Sequence, residues 1–170
     1  MSAPHDPRLA RIWEAAARVP DPEIPVLSIA DLGILREVRQ EDDGTPVVII
    51  TPTYSGCPAM GTIAADVKEA VGALGMGDPR VEFSLSPAWS TEWITEAGRE
   101  ALRAYGIAPP VRSRRPSGPV PLSISFRPPV PCPRCGSTNT RLLTDFGSTS
   151  CKALYTCRDC LEPFDYFKEH

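Results

Sequence analysis

Two cysteine pairs carry the most specific chemistry in this 170-residue sequence: Cys132 with Cys135 and Cys157 with Cys160, each C-x-x-C. Two intervening residues let both sulfurs of a pair reach one ion at about 2.3 Å, the zinc–thiolate distance. The pairs are separated by 21 residues, just beyond the usual ribbon spacing of about 15–20. The expected site is therefore a four-thiolate metal centre, with zinc as the structural ion and iron as the other ion that suits thiolates. A module of about forty residues has too little core to fold without such a staple. A closed quartet offers no open coordination position, so this end of the chain reads as a structural or partner-binding module, not a catalytic one. Cys151 lies between the pairs. Four ligands suffice for zinc, so Cys151 is placed outside the site.

The sixth cysteine, Cys57, stands alone in Thr51-Pro52-Thr53-Tyr54-Ser55-Gly56-Cys57-Pro58. Pro58 suits the first position of a helix, where its missing amide hydrogen is not needed. Cys57 then falls at or next to the N-cap, where free amides and the helix dipole favour a thiolate and lower its pKa. A thiolate there is either a redox or nucleophilic group, or one ligand to a labile metal or cluster. The plain alternative is a small buried residue that only packs. His5 and His170 sit at the two ends of the chain, which argues against a Cys–His catalytic pair. Asp21, Glu23 and Asp31 have two readings as well. They are turn and cap formers, or they lie beside Cys57 as metal ligands or a docking surface.

The elements that must hold these groups follow from periodicity. Leu9, Ile12, Trp13, Ala16 and Val19 predict a helix over residues 8–19, ended by Pro20 and Pro22. Asp21 to Pro25 reads as a rigid turn and Val26 to Leu32 as a short helix. Ile34–Arg39 and Val47–Thr51, joined by Glu41-Asp42-Asp43-Gly44, form a hairpin pattern. Met60, Ile63, Ala64, Val67, Val71 and Leu74 predict a helix over 58–74. A strand over Val81–Leu85 and a helix over Thr95–Tyr105, stopped by Gly106 and Pro109, complete a small α+β sandwich. From Pro109 to Pro133 there are nine prolines in 25 residues, which predicts an extended linker with a short edge strand at Val120–Phe126. Thr140–Phe146 and Ala153–Thr156 read as paired strands of the ribbon, with Phe164, Tyr166 and Phe167 as its aromatic core. The domain reading is 1–108 for the sandwich, 109–129 for the linker and 130–170 for the ribbon.

Charge follows the same division. Residues 1–100 hold 8 basic and 16 acidic side chains, residues 101–144 hold seven arginines and no acid, and residues 145–170 hold 3 basic and 5 acidic side chains. The net charge of −3 excludes a generally basic nucleic-acid binder, and the arginine-rich stretch lacks the interleaved aromatics of a strand-binding surface. An acidic protein surface is its expected contact. No apolar run long enough to cross a membrane occurs, and Met1–Ala10 lacks the apolar stretch of a secretory signal. Both point to a cytoplasmic protein, in which cysteines serve metals or redox chemistry.

Asp21-Pro22-Glu23-Ile24-Pro25, Asp31-Leu32-Gly33-Ile34 and Thr51-Pro52-Thr53 with Gly56-Cys57-Pro58 resemble the SufT-like family of iron–sulfur assembly factors over residues 8–105. Phe146-Gly147-Ser148-Thr149, Cys151-Lys152-Ala153-Leu154-Tyr155 and Glu162-Pro163-Phe164-Asp165-Tyr166-Phe167-Lys168, with Trp93-Ile94-Thr95 and Gly106 to Pro110, extend the resemblance to the PaaD family across nearly the whole chain. The resemblance implies an accessory, non-catalytic protein of aerobic phenylacetate degradation. It implies the oxygenase and reductase components of the phenylacetyl-CoA epoxidase as partners. It also implies a role in installing or repairing an iron–sulfur or di-iron centre, with Cys57 as the thiolate that handles the metal and Asp21, Glu23, Asp31 and Thr53 at matching motif positions. Two alternatives stay open: a structural or regulatory component that docks through the zinc ribbon and the arginine-rich linker, and a thiol-redox enzyme using Cys57; a homodimer, which would bring two Cys57 thiolates together, is the expected oligomer.

Overall fold

The structure, a computed structural model, describes residues 4–54, 56–111 and 129–169. The expected strand at Val120–Phe126 lies outside the described residues. The chain divides into two compact units, one up to Leu102 and one over Arg103–Glu169.

The first unit is built from α1 (Pro7–Ala17), β1 (Leu35–Gln40), β2 (Pro46–Ile50), α2 (Met60–Gly72), β3 (Arg80–Phe83), a 3-10 turn at Thr91–Trp93, and α3 (Glu96–Tyr105), whose last turn belongs to the second unit. Asp6 caps α1: its Oδ1 accepts the amides of Arg8 at 2.7 Å and Leu9 at 3.2 Å, with Pro7 at the first helical position. The sheet order is β1-β2-β3. β1 and β2 pair antiparallel, as the hairpin pattern requires, and β2 and β3 pair parallel across the α2 crossover. Ile12 and Ala16 of α1 and Ile63, Val67 and Val71 of α2 are buried together with Leu35, Val38, Val48 and Ile50 of the sheet. On the sheet, Arg39 meets Glu41 at 3.2 Å and Glu82 at 2.9 Å, while Arg80 meets Glu41 at 3.1 Å. These pairs are half-exposed and contribute little stability.

The short helix expected over Val26–Leu32 is absent; that segment is a chain of turns. One local bond of helical type remains, Leu32 N to Ser28 O at 3.1 Å, but the groups of Ile29 bond outside the segment. Ile29 N donates to Val19 O at 2.9 Å, and Ile29 O accepts from Ile34 and Leu35. Ser28 and Asp31 close a local turn, with Ser28 Oγ donating to Asp31 Oδ2 at 2.6 Å.

The second unit is a four-stranded sheet, β4-β7-β6-β5. Its strands are β4 (Ile107–Ala108), β5 (Thr140–Thr144), β6 (Lys152–Cys157) and β7 (Pro163–Phe167). The β5–β6 pairing follows the sequence pattern. Two strands do not. β7 carries the expected aromatic core residues as a strand, and β4 arises because Gly106, at φ +92°, ends α3 and turns the chain extended alongside β7. Two residues are too few for any periodicity to announce. One face of the sheet packs Ala153, Tyr155, Phe164 and Tyr166 with Val130 and Ala108. Tyr155 stacks on Phe164 at 5.8 Å and meets Tyr166 edge-on at 5.6 Å.

Gly33 joins two parts of the first unit. Its φ is +71°, and an added Cβ would lie 2.6 Å from Trp93 Cβ. Gly33→Ala is therefore expected to cost at least about 2 kcal/mol, from backbone strain and overpacking together. Denaturant unfolding of the two proteins measures the difference.

Candidate metal-handling sites

The Cys57 loop follows the end of the central strand. Thr51 N still donates to Ile34 O at 2.9 Å, continuing the sheet. The chain then turns: Cys57 N donates to Tyr54 O at 3.1 Å, and Met60 N reaches back to Cys57 O at 3.5 Å. The helix begins at Met60 with Ala59 as its cap, so Cys57 lies two residues ahead of the cap and Pro58 is in the turn, not the first helical position. The expected depression of the thiol pKa is overturned for this reason. Burial of the half-exposed side chain pushes the Cys57 thiol up, and the charges of Glu23 and Asp21 push it further. The Ala59 amide and the Thr53 hydroxyl hydrogen-bond the sulfur and oppose the rise without cancelling it. The helix dipole falls off too fast to help at this distance.

The acids divide into two roles. Asp21 is buried, and its Oδ1 accepts the amides of Glu23 and Ile24, both at 2.8 Å. It therefore forms the turn that presents Glu23, and its charge still reaches the thiol. The turn-forming reading of Asp21 therefore holds, and its charge is felt at Cys57. Asp31 acts elsewhere. Its Oδ2 accepts from Ser28, its Oδ1 accepts from Thr95 Oγ1 at 3.1 Å, and its carbonyl accepts Thr95 N at 2.9 Å. Leu32 O accepts Trp89 Nε1 at 2.9 Å, and Gly98 leaves room for Asp31, whose carbonyl oxygen would lie 3.0 Å from a Cβ there. The Asp-Leu-Gly motif thus clasps the segment that opens α3. Thr53 is buried beside the thiol, whereas the buried Thr51 Oγ1 has no hydrogen-bond partner among the described residues.

In the second unit, the sulfurs of Cys132, Cys135, Cys157 and Cys160 all lie within 4.8 Å of one another. Cys132 Sγ is 3.8 Å from Cys160 Sγ, and Cys135 Sγ is 3.6 Å from Cys157 Sγ. A tetrahedron of thiolates at about 2.3 Å from one ion has edges of about 3.8 Å, so the donor set fits a single metal. These four residues would hold it, and a bound zinc supplies cross-linking rather than reaction chemistry. Both turns share one backbone device: the residue after each second cysteine has positive φ, Gly136 at 75° and Leu161 at 65°. Cys132 N donates to Ser137 O and Cys157 N to Glu162 O, both at 2.9 Å.

The sulfurs are also prepared electrically. Amides of Cys160 and Asp159 hold the Cys157 thiol down to about 7. The Ser137 amide acts the same way on Cys135, but burial and the three neighbouring sulfurs push that thiol up to about 12. A cation among the sulfurs would favour the thiolate form that ligation requires. Sequence reasoning misses Asp159. Its carboxylate accepts from Ser137 Oγ and, at 2.7 Å, from Asn139 Nδ2. It ties the second cysteine turn to the first, and its hydrogen bonds lower its own pKa. Its one sequence signal is its position inside a C-x-x-C pair. Cys151 lies apart from the quartet, with Sγ 3.0 Å from Thr149 Oγ1.

Two outcomes are expected. Cys157→Ser loses stoichiometric metal, whereas Cys151→Ser retains it, as read by elemental analysis of the purified chains. Glu23→Gln removes a charge that raises the Cys57 thiol. Its alkylation profile with iodoacetamide therefore moves to lower pH, with faster labelling of Cys57 near pH 8 by peptide mass spectrometry.

Comparison with known proteins follows this division. Residues 9–83 match the family described as iron-sulfur cluster assembly protein, and residues 118–168 match the family described as PaaD zinc beta ribbon domain. A putative 1,2-phenylacetyl-CoA epoxidase subunit of Escherichia coli is 48% identical over 95% of this chain and 93% of its own. The Fe-S protein maturation auxiliary factor YitW of Bacillus subtilis is 32% identical over 54% of this chain and 89% of its own. A solved Bacillus anthracis structure, described as a domain of unknown function DUF59, is 28% identical, with a TM-score of 0.49, covering 54% of this chain and 87% of its own. With the likeness to the Escherichia coli protein running through both units, the chain belongs to the PaaD family.

Proposed function

We propose that this protein is an accessory factor of aerobic phenylacetate degradation that matures the iron–sulfur or di-iron centre of a phenylacetyl-CoA epoxidase, with Cys57 as the residue that handles the metal. One observation carries the reading. A half-buried thiol, held by Thr53 and faced by the charges of Glu23 and Asp21, lies within the stretch that matches the assembly family. The quartet in the other unit offers a separate set of ligands for a structural metal. The likenesses to the Escherichia coli epoxidase protein and to YitW support the two halves of the proposal.

The chemistry follows from the sulfur's surroundings. At rest the thiol keeps its proton, because burial and two nearby carboxylates disfavour a bare thiolate. An arriving iron or cluster is the cargo. Its metal takes a sulfur lone pair as the S–H proton leaves to water, and the carboxylates that opposed the lone thiolate now favour the cation beside it. Transfer reverses the exchange: a client ligand replaces the sulfur at the metal, and Cys57 regains a proton. The oxygenase and reductase components are the proposed clients, and zinc is the proposed ion of the ribbon quartet Cys132, Cys135, Cys157 and Cys160.

A second reading makes the protein a docking component of the epoxidase, favoured by the exposed Leu143, Phe146 and Leu161 of the ribbon. One experiment separates the two. Cells lacking the native copy are complemented with wild type or Cys57→Ser. Epoxidase turnover and the reductase cluster spectrum are then measured alongside the variant's zinc content and abundance. Maturation requires at least about a tenfold loss with normal zinc and abundance. Unchanged turnover and cluster content overturn it in favour of docking.

A further inference from the structure

We propose that the edge of β3, unpaired among the described residues, pairs antiparallel with the same edge of a second copy of this chain, about a twofold axis at Phe83. This inference does not depend on the maturation reading.

The three-stranded sheet has two edges, and they are not alike. β1 is guarded by an irregularity between Leu35 and Glu37 and by Arg36, Glu37 and Arg39, which are recognised devices against edge pairing. β3 has no irregularity in its register with β2. It also leads into two exposed apolar side chains, Phe83 at 54% and Leu85 at 66%. Ser84 N donates inward to Ile50 O at 2.9 Å. Because amides alternate along an extended chain, the N–H and C=O groups of Val81 and Phe83 point outward, toward the open edge, and the same alternation carried past the end of β3 would add those of Leu85.

The sequence of this edge complements itself. Pro79 and Pro87 lie four residues before and four after Phe83, so they bracket a pairable run, Arg80–Ser86, that is symmetric about that residue. With the twofold at Phe83, the outward-pointing residues face one another. Phe83 meets Phe83 of the second copy, and Val81 meets Leu85 of the second copy. Arg80 and Glu82 then fall opposite serines, Ser86 and Ser84 of the second copy, so no like charges are directly opposed. Glu82 is already paired with Arg39 at 2.9 Å and Arg80 with Glu41 at 3.1 Å, so the carboxylates nearest the axis enter the interface compensated. Each pairing ends where a proline, lacking an amide hydrogen, meets the proline of the other copy. Self-pairing of one patch across a twofold is the commonest way a chain dimerises. A heterologous partner would need to match this spacing independently.

The test uses the full-length protein. Sedimentation of wild type from about 1 µM to 1 mM is expected to show a concentration-dependent rise to twice the chain mass. Phe83→Lys places like charges on the axis and is expected to weaken association at least about tenfold. Leu85→Pro removes one outward amide and no inward one, and is expected to do the same. Circular dichroism and metal content of both variants report whether the fold is intact; if Phe83→Lys fails to fold, Leu85→Pro decides. A wild type that stays monomeric at every concentration overturns the proposal. So does a dimer that survives both substitutions.

Discussion

Four sulfurs gathered within 4.8 Å of one another cannot all carry their charges without a cation among them, and the second unit is organised around that fact. Its apolar core is small and reaches the quartet through the buried Cys132 and Cys157. The same two cysteines therefore belong both to the hydrophobic cluster and to the group of sulfurs that could hold an ion. Metal binding and strand packing become one cooperative event. The polar tie from Asp159 to Ser137 and Asn139 sets the spacing between the two cysteine turns, and the left-handed residues Gly136 and Leu161 let each turn fold back on itself. Nothing in this arrangement asks the metal to react. It asks only that the metal stay.

The first unit uses sulfur in the opposite way. One thiol sits beyond the end of the central strand, where β2 hands over to the loop that enters α2. Burial and negative neighbours hold it in its neutral form. The acids of the two upstream motifs divide their work. Asp21 shapes the turn that presents Glu23, and Asp31 fastens the start of α3 through Thr95. Two acids that look alike in the sequence thus differ by one link in the chain from fold to site.

Much of this is legible in the residues, for physical reasons that differ by element. α1, α2 and the β1–β2 hairpin declare themselves because each buries one face, and burial imposes a period on the sequence. The C-x-x-C pairs are legible because ligand geometry fixes their spacing. The segment from Val26 to Leu32 reads as helical because apolar content alone does not say where backbone groups bond; in the fold the Ile29 amide donates to Val19 O and its carbonyl accepts from Ile34 and Leu35 at the start of β1. β4 is too short to show a pattern. The sequence points the Cys57 pKa in the wrong direction because a proline after a cysteine suggests a helix start, while the true start depends on how the turn before Met60 closes. Charge neighbours distant in sequence, such as Glu23 and Cys57, have no local signature.

The neutral state of Cys57 also bears on how the sulfur survives in the presence of oxygen. Peroxide attacks thiolates, not thiols, and the first product is a sulfenic acid that cannot ligate metal as the thiolate does. A sulfur that ionises only when a cation arrives, as the proposed metal handling has it, is exposed to that attack only while the cation covers it. Glu23 and Asp21, by disfavouring the bare thiolate, would then slow that oxidation between one metal and the next.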